Sequence, residues 1–282
     1  VTLTYAVNGL PLNDPDNGRK LLDAPVWASS LAMKNFALAL PGVHGQLGVW
    51  NTPLDASQIQ LKVRLTDQNE DSLNAAWNTI VRHLGVGVNQ PSVLTRQRSA
   101  GGTDAGRQVS TNAQLINIDP PDFSCTGGLV TATIGFNIPS GRWYGASVDT
   151  TLNLAAANQR ITSIEGGTLP VTDGKFLAKG PISGLHVFDN VSQTGFDFSG
   201  TNITSAQWLL VDMTTFTAWQ KSSATYDDSG TDVSAGLTNS GIGWLSLVPG
   251  VTASTSQSSV TVSSSGTSGA STLTLRAAPA YH

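Results

Sequence analysis

From Gln58 to Leu65 the side chains Ile59, Leu61, Val63 and Leu65 alternate strictly with Gln58, Gln60, Lys62 and Arg64. A period of two places the apolar set on one face of a strand and leaves the other face wet. A few residues on, the period changes: Leu73, Ala76, Trp77, Ile80, Val81 and Leu84 recur at helical spacing. A half-buried strand running into an amphipathic helix requires a sheet with a helix laid against it. Asp67 with Glu70 resembles a capping box in which Asp replaces Ser or Thr, and Gly85 stands where a left-handed C-cap is needed. The helix is expected over 71–84 as a scaffold element with every large side chain on one face, and no chemistry is assigned to it.

The rest of the chain reads as mainly β. Charged residues are only 12% of the 282, and Gly, Ser and Thr are abundant, as in proteins of many strands and turns. This length suits two domains. In the first, 109–118 and 129–138 are expected strands joined through Asp119-Pro120-Pro121-Asp122, with Val130, Ala132, Ile134, Phe136 and Ile138 on one face. The segment 148–173 is rich in Gly and Thr, and the domain boundary is expected near Gly174, giving domains 1–174 and 175–282. The second half holds β-like runs at 184–188, 195–198, 207–212, 216–220, 244–247, 260–263 and 273–276, separated by turn residues, which predicts a β-sandwich. The tract 254–271 is mostly Ser, Thr, Gly and Ala, but Val260, Val262, Leu273 and Leu275 keep a period of two, so a hairpin closing the sandwich is expected rather than a linker.

Several classes of function find little support. A net charge of −4 without a basic stripe argues against gripping nucleic acid. The single cysteine, Cys125, has no partner in its own chain for a disulfide or a thiolate metal site, and reads as a small buried residue of a protein made in a reducing cytoplasm. No run of 18 apolar residues and no signal-like N-terminus occurs, so a soluble, untargeted chain is expected. His44, His83, His186 and His282 are scattered, without metal-ligand spacing, and no nucleophile elbow is present. No catalytic residue, metal site or cofactor is assigned. Gly101-Gly102-Thr103-Asp104-Ala105-Gly106 lacks the Lys of a phosphate loop and reads as a hairpin tip. Asp227-Asp228 with Asp232 is the densest acidic cluster of the second half. It reads as a solvated turn, with calcium binding or a glycosidase carboxylate pair as alternatives. Trp208, Trp219, Tyr226 and Trp244 are core aromatics on the plain reading and sugar or subunit contacts on the functional one.

Taken in order, these segments resemble the distal tail proteins of long-tailed phages (siphophages). In the first half the resemblance rests on the strand 59–65, the helix 71–84, the strand pairs after it, and the ending Phe136-Asn137-Ile138-Pro139 with Trp143-Tyr144. In the second it rests on Trp208-Leu209-Leu210-Val211-Asp212, on Trp244-Leu245-Ser246-Leu247-Val248-Pro249-Gly250, and on the run from Leu273 to Tyr281. The resemblance implies a mainly β fold: an N-terminal β-sandwich or barrel-like ring ("belt") domain with one α-helix, then a C-terminal galectin-like β-sandwich. It implies a non-enzymatic virion protein that assembles as a homohexameric ring between the tail tube and the tail-tip or baseplate hub, with receptor-binding proteins as further partners. DNA would pass its channel without specific binding, and no membrane insertion is expected. The hairpin marked by Arg98, Gly101, Gly102, Asp104, Gly106 and Arg107 is the candidate for reaching a neighbouring subunit. Two other readings stay open: a tail protein attaching to cell-wall glycans through Trp208, Trp219 or Trp244, and a tail-tube-like protein.

Overall fold

The computed structural model describes residues 3–23, 56–67, 69–85, 90–98, 106–121, 123, 128–156, 159–161, 167–249 and 260–281. Contacts divide the chain into two compact units, Val1–Tyr144 and Gly145–Tyr281. The protein is mainly β, with one α-helix among the described residues.

In the first unit the described elements are β1 (Leu3–Val7), β2 (Leu10–Pro11), β3 (Arg19–Asp23), β4 (Ser57–Thr66), α1 (Glu70–Gly85), β5 (Ser92–Arg98), β6 (Gln108–Asp119), β7 (Leu129–Ile138) and β8 (Trp143–Tyr144). Seven of the strands form an antiparallel path in the order β2-β1-β5-β6-β7-β4-β3. The alternating strand is β4, whose Ile59, Leu61, Val63 and Leu65 are all buried. Its partner β7 buries Val130, Ala132, Ile134, Phe136 and Ile138 on the same side of the sheet. β6 pairs with β5 through its first half and with β7 through its second, and its register shifts between Leu115 and Asn117. Such a bulge bends a strand and lets the sheet curl. Gly135 sits opposite this point, where a Cβ would lie 1.9 Å from the Asn117 side-chain oxygen. α1 lays Leu73, Trp77, Ile80 and Leu84 inward and touches β4. Its start differs from the expected capping box: the Asn69 side chain accepts the Ser72 N–H at 2.8 Å, so the cap is Asn69 and not Asp67. Val81 is 37% exposed, off the buried stripe, and Gly85 is the last helical residue.

The second unit begins earlier than the boundary expected near Gly174. It comprises β9 (Val148–Asn153), β10 (Gln159–Arg160), β11 (Lys175–Lys179), β12 (Gly184–Asp189), β13 (Thr194–Phe198), β14 (Trp208–Asp212), β15 (Thr217–Lys221), β16 (Thr231–Asp232), β17 (Leu237–Gly241), β18 (Val260–Ser265) and β19 (Thr272–Ala277). A five-stranded sheet runs β10-β18-β12-β13-β17 and a six-stranded sheet runs β16-β15-β14-β11-β19-β9. Their inner faces meet as a sandwich, with Phe176 of β11 edge-on to Phe196 of β13 at 5.4 Å. β9 belongs here because it pairs with β19 over its whole length.

Two expectations for this unit need correction. β18 and β19 do not form a hairpin with each other: they lie in opposite sheets, and the Ser-Gly segment between them crosses the sandwich edge, where the Ser271 hydroxyl donates to the Pro181 carbonyl at 3.0 Å. The earlier part of that tract, 254–259, lies outside the described residues, as does Cys125. The run Trp244–Leu247 is not a strand of either sheet. It touches the rest of the unit through an isolated bridge between Leu247 and Val171.

Candidate functional site

The outward side chains of the six-stranded sheet come from alternate residues in register. Lys175 lies opposite Asp212 and Arg276, Leu177 opposite Leu210 and Thr274, and Lys179 opposite Trp208 and Thr272. Trp219 lies opposite Leu210 on the next strand. Trp208 and Trp219 are therefore diagonal neighbours on one face, both half-buried. The Lys179 ammonium lies 6.0 Å from the Trp208 ring centre, and the Trp219 indole N–H donates to the Thr217 hydroxyl at 3.3 Å.

Residues 222–230 fold back over this face as a strap. Lys175 donates to the Tyr226 carbonyl at 3.0 Å and pairs with Asp212 at 2.8 Å and with Asp228 at 3.8 Å. Lys221, almost fully buried, donates to the carboxylate and the carbonyl of Asp227. The Arg276 guanidinium lies 3.8 Å from the Tyr226 ring centre and bonds both oxygens of Asp149, at 2.8 and 2.6 Å. Leu177 and Leu210 point away from the sandwich core on this face and are nonetheless buried.

The acidic cluster is thereby dispersed. Asp227 is bound to Lys221 and to Ser229, and these hydrogen bonds hold its carboxyl far below the usual range. Asp228 faces Lys175, while the Ser234 hydroxyl and, at 2.8 Å, its backbone N–H hold the Asp232 pKa below the usual carboxylate value. Each carboxylate serves a turn or a cation of the fold. Among the described residues no group of three or more His, Cys, Asp or Glu could hold a metal ion. His186 is paired with Asp197 across β12 and β13 at 2.6 Å and stacks on Phe188.

Trp244 lies apart from the other two tryptophans. It stacks on Phe216 at 4.6 Å, and the pair closes over an apolar recess lined by Phe196, Val211, Met213, Leu237 and Leu245. Phe216 was not singled out by the sequence reading. It is 42% exposed and has φ +56°, a left-handed conformation uncommon for a bulky residue. The hairpin carrying it, Asp212-Met213-Thr214-Thr215-Phe216-Thr217, has a twin in Asp189-Asn190-Val191-Ser192-Gln193-Thr194 on the other sheet. In both, the Asp accepts the N–H two residues on at 2.8 Å. The fourth-residue hydroxyl meets the closing Thr hydroxyl, at 2.7 and 2.6 Å respectively, and the fifth residue has φ +56°. The recurrence of Asp and Thr five residues apart was the signal in the sequence. The segment from Ile242 to Val248 laces the second hairpin down: Ile242 N–H donates to the Gln193 carbonyl, Ser246 N–H to the Thr194 hydroxyl, and Val248 N–H to Asp189, each within 2.9 Å.

In the first unit, the hairpin expected between β5 and β6 is present at its base. Arg98 N–H donates to the Arg107 carbonyl at 3.2 Å, Gly106 N–H donates to the Arg98 carbonyl at 3.1 Å, and Gly106 takes φ +74°. Gly101, Gly102 and Asp104 lie outside the described residues. Beneath the same strands, Arg96 is buried with its guanidinium 4.3 Å from the centre of the Trp143 ring, which also meets Tyr5 edge-on.

No protein-family model and no curated protein matches the sequence. Solved structures do. The phage p2 baseplate in its activated conformation with strontium is 11% identical over 99% of this chain and 98% of that one, and the form with calcium is 11% identical over 100% and 99%. Their TM-scores, 0.43 and 0.44, are too low to establish a common fold. The Dit protein of phage SPP1, described as a paradigm of the hub adsorption apparatus of phages infecting Gram-positive bacteria, is 12% identical with a TM-score of 0.61. Covering 98% of each chain, this match shows that the protein shares the fold of SPP1 Dit.

Proposed function

We propose that the chain is a structural, non-enzymatic component of a phage virion. In this reading it is a distal tail protein whose first unit forms a ring joining the tail tube to the tail-tip hub. The observation that carries the reading is the whole-length match to SPP1 Dit, in which both units and their order are shared rather than a single common sandwich. Fold alone does not dictate activity. The strapped acidic cluster supports the same conclusion, because its carboxylates are engaged by Lys221 and Lys175 instead of being poised as an acid and nucleophile pair.

The ring is a homohexamer in this reading, closed by a heterologous contact that repeats by rotation. The hairpin with Arg98, Gly101, Gly102, Asp104, Gly106 and Arg107 reaches the neighbour, and the second unit is the galectin-like domain, hung outside the ring toward host-attachment proteins. A net charge of −4 supports a lumen that lets DNA pass without holding its phosphates. Glycan binding through Trp208, Trp219 or Trp244 is the second reading, favoured by the neighbouring half-buried indoles on the strapped sheet face.

Light scattering across a concentration series, with negative-stain imaging of the same sample, tests the ring. A six-fold particle with a central hole is expected, and Arg98→Glu combined with Arg107→Glu is expected to reduce it to smaller species. A wild-type chain that stays monomeric at every concentration overturns self-assembly. Stacks of rings would instead favour a tail-tube role. Binding on a glycan array, lost in Trp208→Ala, would bring the second reading forward.

A further inference from the structure

An edge strand presents unpaired N–H and C=O groups, and proteins guard such edges with charge, proline, shortness or a cover. Among the described residues most edges are guarded. β2 and β10 have two residues each, β2 with Pro11; β16 also has two. β3 carries Arg19 and Lys20, and β9 carries Asp149. β17, the edge of the five-stranded sheet, is different. Its five residues, Leu237-Thr238-Asn239-Ser240-Gly241, include no charge and no proline, and Thr238 and Asn239 are exposed. Ile242 follows at once and is 78% exposed, the most exposed large hydrophobic side chain of the described residues.

We propose that β17 is a self-pairing edge through which two copies of the chain associate, independently of any ring formed by the first unit. An antiparallel strand can pair with its own copy about a twofold axis, since the same surface then serves both partners. With the axis at Asn239, the middle residue, Thr238 faces Ser240 of the copy and Leu237 faces Gly241. No like charges are brought together, and Thr opposite Ser is a favourable cross-strand pair. At the other long edges the same pairing would carry charge into the new sheet, Arg19 and Lys20 of β3 and Asp149 of β9. Ile242 at the strand end gives the contact an apolar margin. The pairing would extend the five-stranded sheet into one continuous sheet across both copies.

The axis position makes the test selective. Directly opposed residues in an antiparallel pair lie about 4.5 to 5.5 Å apart, so Asn239→Lys places two ammonium groups face to face and Asn239→Asp two carboxylates. Asn239 is exposed, and circular dichroism checks that each variant folds. Sedimentation velocity of the full chain is expected to show a concentration-dependent doubling of particle mass in the wild type. Each single variant should lose it, and a mixture of the two should regain it as a mixed pair. No doubling in the wild type overturns the proposal; so does doubling that persists in either variant alone, or folded variants that fail to rescue each other. Loss of doubling leaves any six-fold ring intact, so the two assemblies are read separately.

Discussion

At the scale of single residues, the twin hairpins show how much a buried carboxylate can organise. Asp189 is fully buried and accepts N–H groups from Val191, Ser192 and Val248. Removing it leaves those donors without their charged acceptor, so Asp189→Ala is expected to cost about 2 to 4 kcal/mol by urea unfolding. Asp212 plays the same part, and its pH response has a definite sign. Burial pushes its pKa up, but the hydrogen bonds from Lys175 and Thr214 outweigh that and hold it below the ordinary carboxylate value. A carboxyl whose folded pKa is depressed stabilises the fold above its unfolded pKa, about 3.9, and loses that contribution as pH falls through the folded value. Acid unfolding of Asp212→Asn should therefore show a flatter dependence below about pH 4 than the wild type. At the fifth position of these hairpins, Gln193→Gly relieves a left-handed residue but loses the hydrogen bond that the Gln193 amide donates to the Asn190 carbonyl at 2.6 Å, so the two effects offset and a net change under about 1 kcal/mol is expected by urea unfolding.

Among the elements, what could be read from sequence follows the number of faces that water reaches. β4 and β7 alternate because one side of the curled sheet is core and the other is open, so period-two reasoning finds them. β11 escaped because Phe176, Leu177 and Ala178 are buried in succession, although Leu177 points away from the sandwich core. The strap 222–230, whose Tyr226 carbonyl accepts from Lys175, folds over that face, and no local pattern announces where it does so. The strand expected at 244–247 failed for a different reason: Leu245, Ser246 and Leu247 are buried in succession, but the Trp244 ring and the Ser246 N–H meet hairpin tips, at Phe216 and Thr194, rather than a neighbouring strand. In the helix, the apolar stripe was legible while its margin was not. Ile80 is fully buried and Val81 partly exposed, so Ile80→Ala should cost about 2 to 4 kcal/mol and Val81→Ala less than about 1 kcal/mol, as thermal unfolding would register. Asn69→Ala should cost about 1 kcal/mol through loss of the cap. Of the candidate site residues, Trp208 and Trp219 share a face and Trp244 does not, a grouping that depends on β14 to β15 register and on which sheet each segment joins.

For the whole molecule, the decisive question is where the second unit begins. The sequence between 148 and 173 is poor in bulky residues, which is why a boundary near Gly174 looked natural. The structure puts that stretch to use in the sandwich. β9 completes the six-stranded sheet beside β19, and Leu154, Ile161, Leu169 and Val171 are all buried. Ser264 also donates to the Leu154 carbonyl at 3.0 Å, and Val171 exchanges backbone hydrogen bonds with Leu247 at 2.8 and 2.9 Å. Burying an aliphatic side chain of this size contributes about 1.5 to 3 kcal/mol, and whole domains are stable by only about 5 to 15 kcal/mol. Losing four such side chains together with an edge strand therefore removes most of what holds the sandwich. A fragment 145–282 is expected to unfold in a single cooperative transition, whereas a fragment 175–282 is expected to lack one and to expose Leu273 and Leu275 where β9 had covered their strand. Calorimetry of the two fragments decides it: a cooperative transition in 175–282 at the temperature of the longer fragment would mean that the buried segment before Gly174 is an attachment to the sandwich and not a part of it.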